Sequence, residues 1–465
     1  MRSQTAHLPG TALLVAALLS GCGTLEPTLP QAEAGIRENW STSEKTSDPD
    51  DAELIGWRDF FEDPQLEGLI ARALENNRDL RVAVLNVERA RALYRIERAD
   101  QLPSVNASGG MTWAGGDNRA TTEAYSAELG IAQFELDLFG RMRQLSEVAL
   151  QQYFATEEAR RGAQLSLIAE VAHAYLTLVA DQELERIAQA TVVNYQAVLD
   201  LTERRHELGA ASVLEVNQAR TILFSARADA ARFSGRVAQD MNALGLLVGT
   251  PIDASILPAT FEPGISGIAA LPVGLPSDVL LRRPDVAEAE RQLRAANASI
   301  GAARAAFFPS ITLTGSVGTA SSELSDLFGH GSGGWRFMPQ INLPIFQGGR
   351  LRANHDATIA DRDIALARYE HSIQAGFRET ADALALSRAL AAQRQFLEAM
   401  AAAAAETQQL SEKRYRAGQD SYLVLLDAQR TLYEARQALI NTQIAEQANR
   451  VSLFKVLGGG WQEQT

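Results

Sequence analysis

Two stretches of this chain are built to one plan. RRHELGAASVLEVNQAR occupies 204–220 and KRYRAGQDSYLVLLDAQR occupies 413–430. Set 209 residues apart, Gly209 falls on Gly418, Leu214 on Leu423 and Ala219 on Ala428. In each stretch one polar, Ala-rich helical pattern stops and another begins after a few turn-forming residues, which leaves room only for a tight helical hairpin. Leu244 and Gly249 match Leu453 and Gly458 at the same spacing, as Arg141 and Arg143 match Arg350 and Arg352. Further back, Asp79 and Pro103-Ser104 match Asp285 and Pro309-Ser310 at 206, so the second copy carries three extra residues between. Copies of about 180 residues are far longer than the 20–50-residue period of a solenoid. The chain is one body made of two intertwined halves.

The arms of the hairpins are long. Arg141 to about Glu207 runs 67 residues without proline, and Arg350 to about Ala417 runs 68. At 1.5 Å per residue each reaches about 100 Å. The return helices carry seams with coiled-coil spacing: Leu223, Ala226, Ala230, Phe233, Val237, Met241, Leu244 and Val248, and then Leu432, Ala435, Leu439, Thr442, Glu446, Asn449, Leu453 and Val456. Small and polar residues interrupt both seams, which suits a wall of helices wetted on two sides.

Between these helices the period changes to two. Val105 to Thr112 leads through a Gly-Gly-Asp-Asn turn to Ala124–Leu138. In the second copy Ile311, Leu313, Gly315 and Val317 alternate with Thr312, Thr314 and Ser316. Trp335 to Ile345 then alternates strictly for eleven residues, about the length of a tilted membrane-spanning strand. The pattern alone fits a soluble, half-buried sheet equally well; the N-terminus tips the balance. After Met1-Arg2 comes an apolar run, Thr11–Leu19, and then Leu19-Ser20-Gly21-Cys22, a secretory signal ending in a lipobox-type cleavage site. Cys22 is the one cysteine in the chain and the expected site of a covalent lipid. Gly23, where inner-membrane lipoproteins tend to have Asp, points to the outer membrane.

Four strands cannot close a barrel, since the smallest transmembrane barrels have about eight. An open edge in lipid would leave backbone groups unpaired at several kcal/mol each. The barrel is therefore shared between subunits. A trimer would supply twelve strands, but strand arithmetic does not choose three over two or four. The helices are far too long to cross a bilayer of ~30 Å and must project into the periplasm.

Other functions find little support. A net charge of −14 argues against nucleic acid as a partner. The six histidines make no HExxH and no i,i+4 pair, so no metal site is expected. Gly329-His330-Gly331-Ser332-Gly333-Gly334 formally spells GxGxxG, yet it joins two strands rather than a strand and a helix, so it reads as a hairpin loop. No catalytic constellation is present, and an enzyme is not expected. The expected organisation is a signal peptide at 1–21, a lipid-anchored tether at 22–51, and a first repeat at 52–250 (strands about 104–138, helical hairpin about 141–248). A connector at 251–276 and a second repeat at 277–465 follow (strands about 310–346, helical hairpin about 350–457).

Six stretches, Leu19-Ser20-Gly21-Cys22, FELDLFGRMR at 134–143, ATEEARR at 155–161, LLRRPDV at 280–286, AANASIGAARAAFFPS at 295–310 and RYRAGQDSYLVLLDAQR at 414–430, together resemble the TolC-like outer-membrane factors of tripartite efflux systems. The likeness is to the lipoprotein (NodT-type) branch. The resemblance implies a mainly α fold with a membrane β-barrel: a trimer whose twelve-stranded barrel, four strands per protomer, continues into a long periplasmic α-helical barrel. It implies a passive exit duct for small molecules, with no cofactor beyond the lipid on Cys22. Its partners would be a periplasmic adaptor and an inner-membrane pump meeting the tips at Gly209, Ala210, Gly418 and Gln419. Asp420 would project near the pore axis as a ring of three carboxylates, while Arg414, Tyr415 and Arg416 bond neighbouring helices to hold the gate closed. His206 departs from the family, which usually has an aromatic residue after the first arginine of that tip. Two alternatives stand beside this reading: a type I protein-secretion exit channel, and a lipid-anchored periplasmic coiled-coil scaffold.

Overall fold

The computed structural model describes residues 25–35, 56–117, 119–253 and 277–459. The signal peptide, Cys22 and residues 254–276 of the connector lie outside the described residues. The chain forms two compact units, Met1–Ala34 with Leu85–Glu158 and Ala287–Ser372, and Gly35–Val84 with Ala159–Val286 and Ile373–Thr465. Each unit takes segments from both sequence copies, so the halves are interleaved rather than laid end to end.

The first unit holds a four-stranded antiparallel meander in the order β1 (Val105–Gly116), β2 (Arg119–Leu136), β3 (Ser310–Ser321), β4 (Gly333–Asn342). Its register sorts the side chains. Ala107 pairs with Leu129, Leu129 with Val317, and Val317 with Trp335, so the apolar positions of all four strands share one face. Asn106, Gly130, Ser316 and Arg336 line the other. A bulge between Ile131 and Phe134 of β2 keeps this order: one extra residue lets two apolar positions three apart stay on the same face. That face is bare in the single chain, with Trp335 81% and Ile341 69% exposed. Among the described residues the outer edges of β1 and β4 pair with nothing.

The strand expected over Trp335–Ile345 is shorter than its alternation. β4 ends at Asn342, opposite Ser310. β3 begins there, after Pro309, so Leu343 has no backbone partner, and Pro344 has no N–H to offer. The same unit also holds part of the N-terminal segment. Asn297 donates to the Glu26 carboxylate and to the Pro27 carbonyl, each at 2.8 Å, and Arg304 to the Leu25 carbonyl at 3.2 Å.

The seven helices of eight or more residues among the described residues are α1 (Pro64–Asn76), α2 (Arg78–Ala99), α3 (Arg141–Glu207), α4 (Val213–Val248), α5 (Pro284–Ala305), α6 (Arg350–Arg416) and α7 (Tyr422–Val456). The largest core of the second unit gathers around α3, where Ile168, Val171 and Ala172 meet Leu66, Ile70, Leu244 and Phe454. This explains an apolar window of α3 that by composition could cross a membrane: 61% of it is buried inside the protein. Trp57, Phe60 and Phe61 seat the helical turn before α1 in that core, with Phe60 stacked on Phe454 at 4.2 Å. Asp63 caps α1 with one carboxylate oxygen and accepts the Tyr175 hydroxyl at 2.7 Å on the other.

The α4 seam is buried or packed against the core as expected from Leu223 to Val248. The α7 seam is only partly right. Ile440, Val451 and Phe454 are buried, whereas Leu439, Leu453 and Val456 are half-buried. The polar seam residues have their own reasons: Glu446 accepts from Arg394 at 2.8 Å, and Asn449 donates to the Ala383 carbonyl at 2.9 Å. A helix with neighbours on more than one side buries a band wider than one stripe.

The duplication reaches single hydrogen bonds. The orphan carbonyls that end each return helix receive a side chain from the residue just before a helix near the start of the same repeat, α2 in the first and α5 in the second. Asn77 donates to Leu247 at 2.8 Å, and its repeat counterpart Arg283 donates to Val456 at 2.9 Å.

Candidate functional site

Both tips close by the same backbone device. α3 ends at Glu207; the Ala210 N–H then bonds the Arg205 carbonyl at 2.7 Å and the Gly209 N–H bonds His206 at 2.8 Å. In the second tip Gln419 bonds Arg414 at 2.9 Å and Gly418 bonds Tyr415 at 3.0 Å. This paired pattern is a Schellman cap. It needs a left-handed residue, and Gly209 and Gly418 supply it at φ +75° and +74°, a conformation that costs other L-residues about 1–2 kcal/mol. Gly209, Ala210, Gly418 and Gln419 are all exposed.

The tips then diverge. Ser212 opens α4 with a capping box, its hydroxyl accepting from the Glu215 N–H while the Glu215 carboxylate accepts from the Ser212 N–H. Ser421 makes no such cap for α7. Asp420, one residue earlier, is taken instead by Arg414 in a two-pronged pair, Nε–Oδ2 2.6 Å and Nη2–Oδ1 2.9 Å. These hydrogen bonds hold the Asp420 carboxyl below the usual carboxylate range. In the first tip His206 contacts the Ala211 carbonyl through Nδ1 at 2.8 Å.

Tyr415 is the centre of the site. It is 2% exposed, in a cluster with Tyr195, Leu199, Val216, Tyr422 and Leu425. Its hydroxyl lies 3.3 Å from Thr202 Oγ1, and the Arg205 guanidinium stacks over its ring at 4.8 Å. Both partners sit on α3, so Tyr415 ties the second repeat's hairpin to the first repeat's. Within the single chain Tyr415 meets another helix. Arg414 bridges its own turn, and Arg416 pairs with Glu412 one helical turn back. The reason is reach, because the glycine cap folds Asp420 back toward Arg414.

Thr202 and Arg205 are not among the expected residues. The repeat offset holds their signal, since Arg205 is the counterpart of Arg414 and Thr202 of Ser411, which is also buried. Beside the tip, α6 and α7 leave a groove of ≈ 690 Å³ lined by Met400, Ala404, Ser411, Leu423 and Ala428. Among the described residues no three His, Cys, Asp or Glu side chains gather as metal ligands.

A one-faced apolar sheet open at both edges, joined in sequence to two proline-free hairpins with matched tips, defines an outer-membrane channel subunit. Residues 69–250 and 275–459 match the outer membrane efflux protein family. The probable efflux pump outer membrane protein TtgC of Pseudomonas putida is 45% identical over 97% of this chain and 95% of that protein. The cation efflux system protein CusC of Escherichia coli is 42% identical over 97% and 98%. Among solved structures, CusC superposes with a TM-score of 0.86 at 41% identity, covering 94% of this chain and 100% of that one. The open-state MtrE channel of Neisseria gonorrhoeae gives 0.87 at 38% identity, covering 95% and 99%. The chain belongs to the outer membrane efflux protein family. It has the fold of those trimeric outer-membrane channels and serves as the outer-membrane exit duct of an efflux system.

Proposed function

We propose that the duct conducts passively as a homotrimer. In this reading a periplasmic adaptor and an inner-membrane pump engage the exposed tips at Gly209, Ala210, Gly418 and Gln419, and the second hairpin is the gate. The observation that carries it is the seat of Tyr415: swinging that hairpin away from α3 would break the Thr202 contact, unstack Arg205 and expose a nearly fully buried ring. Energy for transport comes from the pump, and the pump sets the cargo. The names of the relatives fit that division, ranging over toluene, antibiotics, solvents and cations. Asp420 contributes a ring of three carboxylates, each partly neutralised by its own Arg414. Cys22 carries the lipid that adds an anchor to the barrel.

Single-channel recording in planar bilayers tests the gate. Larger or more frequent openings of Tyr415→Ala than of the parent support it; identical records place the constriction elsewhere. Mass spectrometry of the mature N-terminus tests the anchor, and an unmodified Cys22 or cleavage at another site overturns it.

A further inference from the structure

We infer that Asp181 and Asp240 share a proton and so form a pH-sensitive joint between the two arms of the first hairpin. Asp181 lies on α3 and is 8% exposed; Asp240 lies on the antiparallel arm α4. The two carboxyls stand within hydrogen-bonding reach of each other. Oδ2 of Asp240 is buried and meets no hydrogen-bond donor. Among the described residues the cation at the pair is Arg236, also on α4, whose Nη1 reaches Asp181 at the long distance of 3.8 Å. α7 packs against the same arms through Ile440 and Ile444, and its carboxylate Glu446 is already held by Arg394 and Arg450. Two carboxylates face to face with one distant cation are satisfied by a proton between them: Asp240 donates its O–H and Asp181 accepts.

The second repeat supplies the comparison. At the equivalent positions it has Leu390 and Asn449, both buried and neither ionisable. The long antiparallel hairpin thus forms without an acid pair, and the first copy carries its ionisable groups for something other than the fold. Burial, then the Asp181 charge, pushes the Asp240 carboxyl up to about 6. The proton is therefore present in mildly acidic surroundings and gone in neutral ones. With it the arms are clipped together; without it they repel at that level.

Infrared spectroscopy of the purified full-length protein across about pH 5 to 8 reads the proton directly. The parent is expected to lose a protonated-carboxyl C=O band with a midpoint near pH 6, and Asp240→Asn to lack that band throughout. Hydrogen exchange supplies a second readout. The Asn amide donates to Asp181 at every pH, so protection of the helix around 181 and 240 should match in parent and Asp240→Asn at about pH 4, and the variant's excess should grow as pH rises to about 6 and then level at about tenfold or more. Asp181→Asn makes the same bridge from the other arm and should behave alike. A band that survives in Asp240→Asn, or a parent-to-variant protection ratio that stays constant with pH, overturns the joint.

Discussion

Arg414 grips Asp420 across the turn of the second hairpin with two nitrogens on two oxygens, at 2.6 and 2.9 Å. In the proposed gate, three copies of Asp420 would come together with each carboxylate bringing its own cation. The two members of the pair should therefore be separable by experiment. In that gate Arg414→Ala would leave three bare carboxylates, which at a spacing of about 4 Å repel by roughly 1–4 kcal/mol per pair at effective dielectrics of 80 to 20, so the closed tip should loosen and cation preference rise. Asp420→Ala should lower cation preference with a smaller effect on opening. Conductance and reversal potential in a salt gradient distinguish the two outcomes. Because the Asp420 carboxyl is held below its ordinary range by Arg414, the pair persists through neutral pH and fails as pH falls through that lowered value.

For Tyr415 the hydroxyl and the ring make different contributions. Tyr415→Phe removes one 3.3 Å contact with Thr202, worth about 1 kcal/mol. Tyr415→Ala empties a site that is 2% exposed, at about 3–5 kcal/mol. Amide exchange across the second tip should accelerate slightly in the first variant and strongly in the second. Equal behaviour would mean that the ring's burial does not hold the hairpin in place.

Much of this could be read in advance, and the reasons are physical. A change of period from 3.6 to 2 marks the strands because a sheet with one apolar face imposes it, and the twin glycines mark the tips because only a left-handed residue closes that cap. What escaped reading depended on partners. The end of β4 at Asn342 is set by where β3 begins, not by β4's own alternation. The α7 seam moved to Val451 and Phe454 because Phe60 stacks on Phe454 from far away in sequence. Arg414 was legible as a tip cation, but its choice of Asp420 follows from the fold of its own turn.

Two glycines with nearly the same dihedral should respond differently to alanine. Gly209 has φ +75°, and a methyl there would stand in open space, with nothing within 4 Å. Gly249 has φ +77°, and a methyl there would meet the Asn76 carbonyl oxygen at 2.5 Å. Gly209→Ala should thus cost only the left-handed penalty of about 1–2 kcal/mol. Gly249→Ala incurs that penalty and must also move the end of α1. Thermal midpoints of the two variants should rank in that order, and equal midpoints would show that α1 yields freely.

Arg283 is 7% exposed and serves three acceptors. It forks onto Asp285 at 3.0 and 2.8 Å, reaches Glu379 on α6 at 2.8 Å, and caps the Val456 carbonyl at the end of α7 at 2.9 Å. Gly376 makes room for it, since a methyl there would lie 3.2 Å from its side chain. Arg283→Ala strands two acids and a helix-end carbonyl. Breaking a fully buried pair costs about 3–5 kcal/mol, but Asp285 and Glu379 are 52% and 38% exposed at the side chain, so water recovers part of this and about 2–3 kcal/mol is expected. Burial works against ionising Asp285, yet the hydrogen bonds and charge of Arg283 outweigh it and hold the Asp285 carboxyl below its ordinary value. Such a depressed carboxyl contributes stability that is complete above the unfolded value of about 3.9 and is lost as pH falls through the folded one. Denaturant titrations of the parent should therefore weaken below about pH 4, and those of Arg283→Ala should show a shallower acid slope. If both proteins lose stability in parallel as the acid is added, the network around Arg283 does not contribute to the acid sensitivity of this fold.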